Sequence, residues 1–175
     1  MTVVVDGTTG ITSPDTTTQT TAFIKPGTVL QTIEATPIVA LVSTAVALPY
    51  DDTIPQITEG LELITATITP KNASNRLRIE FDGIINCSTS VGVGSVALFQ
   101  DATANALTAR GGFGADSGKS WNCGFSHEMA AGTTSATTFR VRFGPDTGTA
   151  YINGNAARKF GGVQAARLRI TEIGV

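Results

Sequence analysis

Residues 76–86 read RLRIEFDGIIN, with Leu77, Ile79 and Phe81 alternating against Arg78, Glu80 and Asp82. Period-two alternation of this kind puts apolar side chains on one face of a strand and charges on the other. Residues 137–143, TTFRVRF, repeat it, with Phe139, Val141 and Phe143 inward and Arg140 and Arg142 outward. Near the end, residues 164–173 (QAARLRITEI) set Leu168 and Ile170 between Arg167, Arg169 and Thr171. The inward-facing members of these three segments are the expected core.

Weaker patterns fill in the rest. Residues 38–48 (IVALVSTAVAL) form a mostly apolar, β-branched run readable as one buried strand. In the following LPYDDTIPQITEG, Pro49 and Pro55 forbid regular pairing. Residues 62–69 (ELITATIT) are a strand closed by the turn cluster PKNASN. Shorter strands are expected over residues 95–101, 122–130 and 149–153. No amphipathic helix competes with them. About eight strands with Gly, Asn, Asp and Pro between them predict an antiparallel jelly-roll-like β-sandwich over residues 37–175. Residues 1–36 differ in character. Their DGTTGITSPDTTTQTTAF is polar and turn-rich, and predicts an extended N-terminal arm.

Composition agrees. The 175 residues suit one domain, threonine is the commonest residue, and only 15% are charged. A net charge of −2 gives no basic footprint for nucleic acid, so none is expected as a partner. No apolar window reaches the roughly 18 residues of a membrane span, and membrane insertion is not expected. The start, Met1 to Val5, has no basic region typical of a secretory signal. Cys87 and Cys123 read as two buried free thiols of a protein assembled in a reducing cytosol.

Catalytic and cofactor motifs fail on inspection. GGFGADSGKS (residues 111–120) ends like a phosphate-binding loop, but Phe113 stands where the first glycine belongs and no helix pattern follows. GVGSVA (residues 92–97) leads into an apolar strand and not the helix of a dinucleotide fold. His127 is the only histidine, and a zinc site shared with Cys87 and Cys123 has unusual spacing. Asp51 and Asp52 sit in a proline-flanked turn, suited to capping backbone amides. The expectation is a non-enzyme with no catalytic residue, cofactor or metal.

The arm segment resembles one that recurs in bacteriophage tail-fibre and virion structural proteins. Gly7, Thr9, Gly10, Ile11, Thr12, Pro14, Asp15, Gln19, Thr20, Thr21 and Ala22 keep its pattern. Ser13 replaces its usual aromatic and Thr16 its turn glycine. Residues 54–80, 133–153 and 166–173 are similar to the β-sandwich that often follows. The resemblance implies a virion component, normally homotrimeric and assembled in the host bacterial cytoplasm. It further implies other tail or capsid proteins as partners, held through the arm, with Val4, Ile11, Pro14, Phe23 and Ile24 as assembly residues. Such a segment buries too little surface to order itself alone, whereas pairing between chains offsets the entropy.

Three functions compete on this reading: a fibre or fibre-tip protein contacting the host surface, a capsid decoration (cement) protein, and a small-ligand-binding or enzymatic jelly roll. Contact candidates come from GGFGADSGKSWN (residues 111–122). There Trp121 is the only tryptophan, with Phe113, Lys119 and Asn122 near it in sequence. A ring beside amide and ammonium donors suits a host surface glycan. The structural alternative, which the residue type favours, is that Trp121 opens a strand and packs into the sandwich edge. The same logic extends to Tyr151 in YINGNAARKF.

Overall fold

The computed structural model describes residues 4–6, 10–12, 18–19, 25–89, 92–113 and 119–175. Within the arm, β1 (Val4–Asp6), β2 (Gly10–Thr12) and β3 (Thr18–Gln19) form an antiparallel sheet of their own, in that order. Val4 and Ile11 thus lie in strands. Pro14, Phe23 and Ile24 lie outside the described residues.

The sandwich consists of two four-stranded antiparallel sheets. One has β4 (Val29–Glu34), β15 (Arg167–Ile173), β7 (Arg76–Asp82) and β12 (Phe125–Ala130) side by side. The other has β6 (Leu61–Ile68), β13 (Thr137–Pro145), β9 (Val93–Gln100) and β10 (Thr108–Phe113). Taken in chain order, the eight strands switch sheet at every step but one, the β9–β10 pair staying within the second sheet, which is the order of a jelly roll. A third small sheet continues the first beyond Gly83. It runs β11 (Ser120–Asn122), β8 (Ile84–Cys87), β14 (Ala150–Ile152) and β5 (Val42–Thr44).

The alternation places the core where it should lie. Leu77, Ile79, Phe81, Phe139, Val141, Phe143, Leu168 and Ile170 are all buried in one cluster between the sheets. Their neighbours of opposite parity form a charged outer face on β12, β7, β15 and β4. There Arg76 and Arg78 pair with Glu128, and Arg167 and Arg169 with Glu34. Arg78 Nε lies 2.6 Å from Glu128 Oε1 at a solvent-exposed position. Solvent screens such a pair, so Arg78→Ala should leave the melting temperature within a degree or two of the parent in calorimetry.

Several expectations need correction. The sandwich begins before residue 37: β4, inside the expected arm of residues 1–36, pairs with β15 along Val29–Glu34. Its apolar residues are too few to mark a strand without the partner. The run 38–48 is not one strand. Only Val42–Thr44 pairs, Ile38 makes an isolated bridge to Ala166, and Val39 and Val46 are exposed. Arg142 does not face water. Its Nε and Nη2 donate to the carbonyls of Glu59 and Gly60, each at 2.7 Å. Residues 48–59 lie across the outer face of β13, β9 and β10, and Leu48 and Ile57 pack there on Ala97 and Phe99. That cover buries β9 on both faces.

β10 arises between residues 101 and 122, where no strand was expected. Its glycines are seats for rings. A Cβ on Gly111 would lie 2.7 Å from the Tyr50 ring, and one on Gly112 would lie 3.2 Å from Trp121 Cβ. A strand that leaves its own side-chain positions empty gives no apolar signal.

Candidate functional site

Two ends of the sandwich differ in what they present. The chain enters from the arm at Lys25, beside its own C-terminus: Gly27 N–H donates to Gly174 O and Gly174 N–H to Thr28 O, both at 2.8 Å. The β6–β7 turn is at the same end, where Gln31 Nε2 donates to Thr69 O. The strand registers carry β8, β11 and β14 to the opposite end, with the loops before β9, before β11, after β13 and after β14.

At this far end, cross-strand partners share a face. Trp121, Ile85, Ile152 and Val42 form one row, and Ser120, Asn86, Tyr151 and Ser43 form the next, on the opposite face. Ile85 and Ile152 are core residues, so the first row points into the sandwich. Trp121 is half-buried over Gly112, and its indole Nε1 has no hydrogen-bond partner among the described residues.

The second row opens outward onto a cleft of about 220 Å³, lined by Asn86, Ser88, Tyr151, Asn155 and Ala156. Asn86 is 1% exposed. Its Nδ2 donates to the Lys119 carbonyl, while its Oδ1 has no partner among the described residues. Ser88 Oγ accepts from Thr149 N–H at 2.9 Å, which leaves its own proton to donate.

The loop after β14 fixes one wall. Asn153 has φ +64°, a conformation asparagine tolerates better than most residues. Its Nδ2 donates to Ile38 O at 2.6 Å and Ala40 O at 3.1 Å. Gly154 bridges Arg158, and a Cβ there would press on Leu41 Cδ1 at 2.9 Å.

The sequence-predicted contact residues are therefore not one cluster. Tyr151 is in the cleft, and Lys119 borders it through its carbonyl. Trp121 faces the other way. Asn122 uses its Oδ1 to accept Gly124 N–H at 2.7 Å, closing the turn into β12. Phe113 ends β10, opposite Val93. Sequence reasoning missed Asn86, Ser88, Asn155 and Ala156. The available signal was an asparagine inside the apolar IINC, where an amide is costly unless something meets it.

Elsewhere the chemistry is quiet. Burial pushes the Cys123 thiol up to about 12, and Cys123 Sγ donates to Gly83 O at 3.2 Å. Cys87 Sγ donates to Thr147 O at 3.3 Å. Among the described residues no group of His, Cys, Asp and Glu could hold a metal. The Thr53 hydroxyl and then the Thr53 N–H hold the Asp51 carboxyl below its usual range, as its capping role requires. The motif-like residues 92–97 and 111–113 lie in and beside paired strands. A further cleft of about 350 Å³ on the charged face is lined by Glu34, Glu80, Asp82, Arg167 and Arg169 above Phe81 and Phe125. No helix among the described residues is long and apolar enough to cross a membrane.

The class defined by this architecture is the all-β jelly-roll sandwich. No family model and no curated protein matches the chain. Among solved structures, it is similar to Eiger TNF from S. frugiperda, with a TM-score of 0.46 and 10% identity over 86% of this chain and 94% of that one. Murine APRIL at pH 5.0 gives a TM-score of 0.39 and 10% identity over 81% of this chain and 98% of that one.

Proposed function

We propose that this chain is a non-enzymatic structural protein of a bacteriophage particle, a homotrimeric fibre or fibre-tip component. The N-terminal arm anchors it to other virion proteins, and the far end meets the host surface. The observation that carries this reading is polarity: the arm enters at one end, and an open polar cleft lies among the loops of the other. The arm's own three-stranded sheet supports it as well, since strands of three, three and two residues are too short to be stable alone and would gain order by packing with other chains.

Light scattering of the purified protein should give three times the 18.1 kDa chain mass. A monomer with an ordered arm would overturn the trimer. Removing residues 1–24 should leave the melting temperature of the sandwich unchanged and abolish incorporation into particles. Removing residues 1–36 should also destabilise it, because β4 goes too. Antibody label confined to the tail supports a fibre; label over the whole shell identifies a decoration protein instead.

A further inference from the structure

The geometry points to the cleft between Asn86, Ser88, Tyr151 and Asn155 as a binding site for one neutral sugar ring. This inference rests on the host-contact reading above and names the ligand class and the residues.

Four observations converge. The first is size. About 220 Å³ is below the roughly 300–1,000 Å³ of pockets for drug-sized molecules, so it admits one ring and not a folded peptide segment. The second is charge. The five lining residues include no Lys, Arg, His, Asp or Glu, so no cationic side chain offsets the desolvation of a phosphate or carboxylate. The third is the polar lining. The exposed Ser88 hydroxyl accepts from Thr149 N–H and keeps its own proton to donate, and Tyr151 adds an aromatic ring and a phenol, the groups that hydrogen-bond and pack a sugar ring.

The fourth observation is rigidity. Asn155 and Ala156 sit on a loop pinned by the two Asn153 hydrogen bonds and closed by Asn155 N–H to Ala157 O at 3.2 Å and Lys159 N–H to Asn153 O at 3.3 Å. On the other side, Asn86 and Tyr151 are adjacent in strand register. Walls held by backbone lose little freedom when a ligand arrives. The site is therefore formed before binding.

The test uses the full chain and saturation-transfer NMR with D-glucose, D-galactose, N-acetyl-D-glucosamine and L-rhamnose as probes. At least one should bind in the millimolar range. Tyr151→Phe, which removes one hydroxyl, should weaken that sugar about fivefold to tenfold, and Tyr151→Ala should abolish its signal. Trp121→Ala, altered on the opposite face, should keep binding if the melt shows it folded. Absence of binding by all four sugars, or binding that survives Tyr151→Ala, overturns the site. A trimer labelled on the tail with no sugar bound would sink this inference alone. Label over the shell would sink the host-contact reading with it.

Discussion

Phe139→Ala lowers the stability of the sandwich by about 3–5 kcal/mol, which corresponds to a fall of roughly 10 °C in melting temperature for a domain of this size. Phe139 is fully buried on β13, the strand that pairs with both β6 and β9. Its loss removes a ring from the centre of a sheet whose backbone is held from both sides, so the walls cannot move in to fill the hole. Thermal unfolding of the purified variant checks this. A loss under 1 kcal/mol would mean that the core repacks, and that the alternation in TTFRVRF says less about energy than about direction.

Glu172→Ala is the second large effect, about 3 kcal/mol, and its cause is polar. Glu172 follows Leu168 and Ile170 on the inward face of β15 and is fully buried. Its carboxylate accepts from Gln31 Nε2 at 2.5 Å, Asn75 Nδ2 at 2.6 Å, Lys71 N–H at 2.8 Å and Asn72 N–H at 3.3 Å. Removing the acceptor leaves these donors unpaired, at about 1–3 kcal/mol for each that water cannot reach.

Burial alone would raise this carboxyl's pKa. The hydrogen bonds, led by Asn75 and Gln31, outweigh burial and hold it below the usual range. The folded-state value is therefore the lower one. The stabilisation is fully present above the unfolded-state pKa and is lost as pH falls through the folded-state pKa. Glu172→Gln keeps an acceptor oxygen, so it should cost less than alanine and flatten the acid limb of a stability-versus-pH curve. An unchanged acid limb would show that other carboxylates dominate it.

Where strands carry strict alternation, the sequence was a sufficient guide, because one buried face and one wet face leave a period-two trace. β7, β13 and β15 are of this kind, and the inward apolar residues Leu77, Ile79, Phe81, Phe139, Val141, Phe143, Leu168 and Ile170 are all core. Three features escaped for separate reasons. β4 is an edge strand with few buried side chains, and only pairing with β15 defines it. β10 spends two positions on glycine to admit rings from other segments. Glu172 continues the inward parity of β15, but parity cannot show that four donors wait for a carboxylate there. The candidate site was half visible. Tyr151 was within reach, whereas Asn86 was hidden by its apolar neighbours and Trp121 drew attention to the wrong face.

The paired glycines of β10 also set rules for changing the chain's length. Tyr50, from the segment across the outer face, rests on Gly111, and Trp121, from the far-end sheet, rests on Gly112. One strand thus acts as a two-sided key. Inserting a single residue between Thr108 and Ala109 would turn Arg110 and the two glycines to the opposite faces, unseating both rings in one step. Additions after Phe113 leave the key in register. Diversity can therefore accumulate beyond β10 while its glycine pair keeps the segment of residues 48–59 and the far end aligned.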